Sequence, residues 1–95
     1  MYAYIRGVLA GKEPDAVVVE AAGVGYRILA GSRMLASLPP LGKEVKVYTY
    51  LNIRDDAHIL YGFLDSDEKE MFRRLITISG IGPKGLFGII NKLGF

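Results

Sequence analysis

The stretch VKVYTYLNIRDDAHILYGF, residues 45–63, contains the pattern on which the fold assignment depends. Between Val45 and Arg54 the side chains alternate between two faces, which is the period-two pattern of a β-strand. One face carries Val45, Val47, Thr49, Leu51 and Ile53, and the other carries Lys46, Tyr48, Tyr50, Asn52 and Arg54. Asp55 and Asp56 form a short turn, and Ala57–Phe63 is again rich in strand-forming residues. The stretch therefore predicts two strands joined by an acidic turn.

Upstream of this stretch, three further strands and one short helix are predicted. The strands are Tyr2–Ala10, Ala16–Ala22 and Tyr26–Ala30, separated by turns at Gly11–Asp15 and Gly23–Gly25. Ser32–Leu38 is predicted as a helix with Ser32 as its N-cap, ending before Pro39-Pro40. Five strands with a helix between the third and fourth predict an OB-fold barrel. An SH3-like barrel has a similar strand count, but the position of the helix favours the OB-fold.

Downstream, the pattern changes to that of two helices. Asp65 with Glu68 resembles a capping box. The apolar residues of the first helix recur at helical spacing and are Met71, Phe72, Leu75, Ile76 and Ile78. Pro83 suits the first turn of the second helix and Gly94 suits a C-terminal cap. The predicted organisation is mainly β plus α: a five-stranded OB-fold barrel over residues 1–64, followed by a helix-hairpin-helix element over residues 65–95.

Composition excludes several classes of protein. The 95 residues suit one compact domain with a small appendage, and 51% of them are hydrophobic, which is enough for a packed core. With no Cys and only one His, disulfides, thiolate metal sites and thiol catalysis are excluded, and no metal or cofactor is expected. No stretch approaches the roughly 20 apolar residues of a membrane helix, and a cytoplasmic location is expected.

Charge is unevenly distributed along the chain. The net charge is only +2, and residues 1–65 carry equal numbers of basic and acidic groups. Residues 71–95 contain no acid and four bases, namely Arg73, Arg74, Lys84 and Lys92. Such a segment can bind a polyanion, although a solvated helical face has the same composition.

The turn Gly80-Ile81-Gly82 between the two helices is the most informative motif. Two glycines allow a tight turn and a close approach of a ligand to the backbone, with Ile81 plugging the turn into the core between the helices. Behind the turn, the amides of Gly82, Lys84 and nearby residues are unpaired donors at the positive end of a helix, and they suit a phosphate oxygen. The Lys84 ammonium would lie within reach of the same phosphate. A hairpin in which glycine only caps the first helix is the alternative. The composition of the segment favours binding of the DNA backbone.

Residues 54–57, Arg54-Asp55-Asp56-Ala57, place two carboxylates at a hairpin tip. Aspartate is common in turns for structural reasons alone. Paired acids also serve in general acid–base catalysis or Mg²⁺ binding, but no third acid, base or nucleophile is grouped with these two, so catalysis is not expected. In a DNA-binding protein, the negative tip would repel phosphates. It could act as a wedge or prevent a duplex from settling over that point.

Three other side chains, those of His58, Tyr48 and Tyr50, are candidates for binding a ligand or a base. His58 is more typical of a half-exposed strand residue than of a metal ligand or a base. Tyr48 and Tyr50 share one face of the fourth strand, where they can stack on bases or pack against a neighbouring subunit or the helices, and packing is favoured.

Five segments, taken in order, resemble the bacterial RuvA family of Holliday-junction-binding proteins. They are Met-x-x-x-Ile5-Arg6-Gly7, Gly23-Val24-Gly25-Tyr26, Arg54-Asp55-Asp56-Ala57-x-x-Leu60-Tyr61-Gly62-Phe63, Phe72-x-x-Leu75-Ile76 and Gly80-Ile81-Gly82-Pro83-Lys84. The third and fifth together are highly specific, and the likeness covers the whole chain.

This resemblance implies more than the residues alone predict. Members of the family form homotetramers through the OB-fold and hold four-way DNA junctions open in recombination and repair, including the SOS response to DNA damage. Asp55 and Asp56 would be the acidic pin at the crossover. Gly80, Ile81, Gly82 and Lys84 would belong to the first of two DNA-gripping hairpins, and we add Arg54 to the expected DNA contacts. The expected partners are the RuvB ATPase, which drives branch migration, and the RuvC resolvase, whereas the chain itself is not expected to be an enzyme.

The sequence also departs from the family pattern. Family members continue into a second hairpin and a domain that contacts the motor, so this chain is expected to be a fragment with reduced affinity for junctions. Leu86 stands where the family has a small residue. Gly85 and Gly88 each cost about 1 kcal/mol relative to Ala within a helix, which predicts a weakened second helix.

Two other functions remain open at this stage. One is general binding of single-stranded nucleic acid by the OB-fold, in which case the protein should prefer single strands to junctions. The other is a role as an oligomerisation module that forms tetramers but binds no DNA.

Overall fold

A computed structural model describes residues 2–93. Five strands and three helices follow one another in the order β1 (Tyr4–Lys12), β2 (Ala16–Ala21), β3 (Val24–Leu29), α1 (Ser32–Ser37), β4 (Glu44–Arg54), β5 (Ala57–Phe63), α2 (Ser66–Ser79) and α3 (Pro83–Lys92). The five strands, the short helix between the third and fourth, and the terminal helical pair are confirmed. The predicted cap at Gly94 lies outside the described residues.

The strands form a closed barrel in the order β1-β2-β3-β5-β4. All neighbouring strands are antiparallel except β3 and β5, which are parallel and close the barrel. This arrangement of five strands with α1 between β3 and β4 is consistent with the predicted OB-fold.

The alternation along β4 holds for most of its length and then fails. Val47 and Thr49 are fully buried, and the Thr49 hydroxyl donates to the Tyr2 carbonyl over 2.8 Å, which satisfies a buried polar group. Ile53 shares their face but is 65% exposed. The end of β4 pairs only with the start of β5, where Arg54 faces Ala57, and this part of the hairpin extends beyond the packed core.

Several predicted boundaries were wrong. β1 spans Tyr4–Lys12 rather than Tyr2–Ala10, so Gly11 and Lys12 belong to the strand and not to the first turn. The second hairpin turn consists of Ala22 and Gly23, both with positive φ (51° and 81°), and β3 begins at Val24. Two positive φ angles match the twist of the flanking strands, so residues 24 and 25 remain in the sheet. Gly31, rather than Ser32, is the N-cap of α1, because the Ser32 hydroxyl is turned toward Asn91 of α3.

The chain has two hydrophobic clusters that meet along β5. The barrel cluster is buried between the strands and is closed by Met34 of α1. The second cluster joins the barrel to the helices, and its central residue, Phe72, is fully buried. Its ring centroid lies 5.0–5.9 Å from the rings of Tyr50, Tyr61, Phe63 and Phe87. The helices therefore pack directly on the barrel, and a boundary at residue 64 stays a prediction.

The predicted capping box at the start of α2 is only half present. The Asp65 carboxylate accepts the Glu68 N–H over 2.8 Å, which confirms the first half of the capping box. The Glu68 carboxylate accepts from the N–H of Leu64 rather than from that of the cap residue. Gly80 ends α2 in the left-handed conformation, and α3 is continuous from Pro83 through Gly85 and Gly88 because Leu86 and Ile90 are buried against the aromatic cluster.

Candidate nucleic-acid interface

The turn between α2 and α3 lies on the surface. Gly80 has a φ of 72°, a value that favours glycine, whereas Gly82 has an ordinary φ of −66°. A Cβ built on Gly82 would meet nothing within 4 Å, so the protein itself does not require glycine there. What Gly82 provides is open space beside the backbone at the start of α3.

The start of α3 presents amide groups to solvent. Pro83 has no N–H, and the first backbone bond of the helix runs from the Leu86 N–H to the Gly82 carbonyl over 3.0 Å. The N-cap residue supplies no side-chain acceptor, so the amides of Lys84 and Gly85 precede the helical ladder. These donors and the helix dipole form a site that suits an anionic oxygen.

Ile81 differs from its predicted role within this turn. Its side chain is 40% exposed, although its Cγ2 lies 3.3 Å from where a Cβ on Gly85 would be. It therefore lies over the first turn of α3 instead of plugging into a core. Its N–H donates to the Ser79 hydroxyl over 3.2 Å, so this amide is already engaged within the protein.

The positive charges near the turn are not equally available. Glu70 lies one residue before the segment that lacks acids, and it binds Arg73 over 2.6 Å and Arg74 over 3.2 Å. The Arg73 hydrogen bond, with help from Arg74, lowers the pKa of Glu70 to about 2. Lys84 is exposed and has no ion pair within residues 2–93. The predicted group of four bases is thus reduced, with two of them held by Glu70.

The acidic pair lies at the tip of the β4–β5 hairpin. Asp55 and Asp56 form its two-residue turn, and both are exposed, as is Arg54 beside them. In the described part of the chain, no hydrogen bond or salt bridge joins this tip to the Gly80–Gly82 turn. The two predicted motifs are therefore separate features of the surface, connected through β5 and the aromatic cluster.

The tyrosines of β4 have different environments. Tyr50 packs edge-on against Phe72 with ring centroids 5.5 Å apart, which supports packing on the helices over base stacking. Tyr48 is half-buried and lies 6.1 Å from Tyr4 across the β1–β4 ladder. The Lys46 ammonium lies 4.3 Å from the Tyr4 ring centroid and 5.0 Å from that of Tyr48. His58 is exposed on β5, as expected for a strand residue.

A buried hydroxyl lies beneath the base of the acidic hairpin. Tyr61 is fully buried, and within the described residues its hydroxyl has no hydrogen-bond partner. Burial raises the pKa of this hydroxyl above its ordinary value, and the nearby Arg54 charge opposes the rise.

The sequence model of the family described as RuvA N terminal domain matches residues 1–62. The chain belongs to this RuvA family. Curated relatives can be aligned with 98–99% of the chain, and each is named Holliday junction branch migration complex subunit RuvA. The proteins of Lachnospira eligens and Acetivibrio thermocellus are each 45% identical to the chain over 93 residues, and that of Coxiella burnetii is 42% identical over 94.

The chain spans a little under half the length of these RuvA relatives, between 45% and 47%. Within the described residues, no group of three or more His, Cys, Asp or Glu side chains could hold a metal ion. No helix among them is long and apolar enough to cross a membrane.

Sequence reasoning missed several residues of this RuvA-family surface. Glu70 was overlooked because it lies just outside the segment that was counted, although its i, i+3 and i, i+4 spacing to the two arginines is visible in the sequence. The sequence places Lys46 and Tyr48 on one face of β4. It does not show that Tyr4 lies beside them, because that contact depends on the register of β1 against β4. Nothing in the sequence indicates that the side chains of Asn91 and Glu68 bind residues of α1.

Proposed function

We propose that this RuvA-family chain is a non-catalytic scaffold that binds four-way DNA junctions and holds them open for branch migration. The proposal depends on the exposed start of α3, where amides without a side-chain cap lie next to the exposed Lys84. The names of the relatives, which describe a branch migration complex subunit, support it. A partner ATPase of the RuvB kind would supply the motor, and the RuvC resolvase would be a further partner.

Each residue of the turn would have a separate part in gripping DNA. Gly80 reverses the chain, and Gly82 leaves room for the sugar-phosphate backbone. The Lys84 amide and ammonium would contact one phosphate, with Ile81 against the sugar edge. Such contacts hold the backbone and carry no sequence information, which suits a protein that recognises the shape of a junction.

The acidic pair would act on the DNA by repulsion. Two exposed carboxylates at a projecting tip oppose the approach of phosphates, with an energy of about 1 kcal/mol per pair of charges at 4 Å in water. In a homotetramer, the four tips would meet at the crossover and keep the arms apart. Arg54, next to the pair, would contact a neighbouring phosphate. The assembly would act in the cytoplasm, in recombination and DNA repair.

The test compares binding of a four-way junction, a duplex and a single strand over a range of salt concentrations, with the mass of the protein measured in solution. Lys84→Ala should weaken junction binding about fivefold and reduce the salt slope by about one for each lysine–phosphate contact that is lost, and a tetramer loses one such contact per chain. Lys43→Ala, which removes the same charge from an exposed barrel loop, is the control and should change neither. Equal binding of the three DNA forms, or equal effects of the two substitutions, would contradict the proposal.

A second candidate function is binding of single-stranded nucleic acid along β1 and β4. The exposed Tyr4, with Lys46 above it and Tyr48 beside it, provides an aromatic and cationic surface of the kind on which bases stack. Competition by single strands against junctions, abolished by Tyr4→Ala, would select this function. Tetramers that bind no DNA at low salt would instead select a purely oligomeric role.

A further inference from the structure

The last turn of α3 is attached to the barrel by a side-chain amide. The Asn91 Oδ1 atom accepts the Ser32 N–H over 2.8 Å and the Ser32 hydroxyl over 3.2 Å. Ser32 is the first residue of α1, whose own N-cap, Gly31, has no side chain to supply this acceptor. Asn91 therefore caps α1 from a different element, and its position follows that of α1.

A second attachment joins α2 to the same short helix. The Glu68 carboxylate accepts from the Arg33 guanidinium over 2.6 Å and from the Leu64 N–H over 3.2 Å. The Glu68 side chain is only 18% exposed, so this ion pair is shielded from water more than a surface pair is. Glu68 thereby connects α1, the end of β5 and the first turn of α2.

Between these two attachments the helices meet the barrel through apolar contacts. A narrow cleft there is lined by Met34, Met71, Phe87 and Ile90, with Glu68 and Asn91 among the residues at its walls. The hydrophobic effect is not directional. Hydrogen bonds require particular distances and angles, so the two polar attachments add directional constraints to the packing of the helices on the barrel.

The orientation of α3 determines where its first turn lies. Pro83–Lys92 is a ten-residue helix, about 15 Å long, with Asn91 in its last turn and Lys84 in its first. A tilt at the Asn91 end therefore moves the Lys84 amide relative to the acidic tip. We propose that Asn91 and Glu68 are positioning residues that fix the distance between the phosphate-gripping turn and the acidic tip, and so give the protein its preference for junctions over duplex. This inference rests on the proposed function.

The test first measures this distance without DNA. The chain has no cysteine, so Ala57→Cys beside the acidic tip and Gly88→Cys on α3 provide a specific pair of spin labels. Both positions are exposed, and a Cβ at Gly88 meets nothing within 4 Å. Dilution with unlabelled protein removes distances between chains. Asn91→Leu keeps the size of the side chain but lacks the acceptor, and Asn91→Asp keeps the acceptor.

We expect a narrow distance distribution in the otherwise unchanged protein and in Asn91→Asp, and a broadened one in Asn91→Leu. Arg33→Met removes the more exposed partner of the Arg33–Glu68 ion pair, so it carries little risk to folding. It should also broaden the distance distribution. Affinity for a four-way junction relative to duplex should fall by about threefold or more in Asn91→Leu, while duplex affinity is kept and Asn91→Asp restores the ratio.

The two proposals fail in different ways. An unchanged distance distribution in both Asn91→Leu and Arg33→Met would overturn the positioning inference, whatever the DNA measurements show. Broadened distributions with an unchanged junction-to-duplex ratio would overturn the link to selectivity. A wild-type protein that binds junction and duplex equally, yet has broadened distances in both variants, would refute the proposed function and leave the attachments established.

Discussion

At the scale of single residues, Glu70 shows how one carboxylate changes the electrostatics of a basic segment. It holds both Arg73 and Arg74 on the surface of α2. Its pKa, about 2, lies below the ordinary 4.5, so this contact adds stability above pH 4.5 and loses it as the pH falls through 2. At neutral pH the two guanidinium groups are therefore partly neutralised before any DNA arrives.

Glu70→Gln should consequently increase affinity for duplex DNA and steepen its salt dependence, because two arginines become available to phosphates. Glu44→Gln removes the carboxylate that pairs with Arg6 on the barrel and serves as the control. Fluorescence anisotropy titrations at several salt concentrations measure both quantities. Equal increases in the two variants would mean that only net charge matters, and an unchanged Glu70→Gln would show that α2 does not contact DNA.

The same scale shows what sequence reasoning can detect among functional residues. The turn at Gly80–Gly82, Lys84 and the acidic tip are exposed, as a few adjacent residues indicate, and their part in DNA binding stays a prediction. The Asn91 amide could not be recognised, since its partner Ser32 is 59 residues away in the chain. Ile81 was misplaced because an apolar side chain between two glycines can lie over the following helix as well as between the helices.

At the scale of elements, β1 illustrates how tightly the strands of the barrel approach each other. A Cβ on Gly7 would lie 2.2 Å from the Glu20 carbonyl oxygen, which is backbone and cannot move aside easily. On the same strand, a Cβ on Gly11 would lie 3.6 Å from the nearest atom of Val18, an ordinary contact.

Gly7→Ala should therefore lower the free energy of unfolding by about 2 kcal/mol or more, because β1 and β2 must separate to admit the methyl group. Gly11→Ala, the matched control, should leave it nearly unchanged or slightly raised. Urea denaturation followed by circular dichroism measures both. Equal stabilities of the two variants would contradict this explanation of the close approach at residue 7.

Elements were predicted more accurately than their ends. Alternation in β4 and helical spacing after Asp65 are properties of long segments, and both predicted the right type of element. The ends depend on single contacts. Ser32 is not the N-cap of α1, because its hydroxyl donates to the Asn91 side chain. Ile53 is exposed, because the β4–β5 hairpin extends beyond the core. The two glycines of α3 do not interrupt the helix, since the burial of Leu86 and Ile90 offsets their poor helix propensity.

At the scale of the whole molecule, the acidic tip and the Gly80–Gly82 turn are separate exposed features and should contribute separately to DNA binding. The turn would supply affinity, whereas the carboxylates of Asp55 and Asp56 would restrict which DNA shapes can be accommodated. Their effects on binding should accordingly be separable by substitution.

Asp55→Asn combined with Asp56→Asn should alter the opening of a junction, or increase tolerance of duplex, more than it changes junction affinity. Fluorescence transfer between labelled junction arms reports opening, and titration with duplex reports tolerance. Asp15→Asn combined with Glu20→Gln removes the same charge from elsewhere on the barrel and is the control. A doubly substituted tip that behaves like the wild type on both counts would refute the wedge.

The position of β5 has a consequence for how the molecule assembles. Leu60 belongs to the barrel cluster and Tyr61 to the cluster beneath the helices, so neighbouring residues of one strand complete two cores. The surface on which the helices pack combines residues of β5 with Tyr48 and Tyr50 of β4, so it is complete only once β5 is paired with β4. Folding should therefore end with the helices, and on heating they should be lost no later than the strand on which they rest.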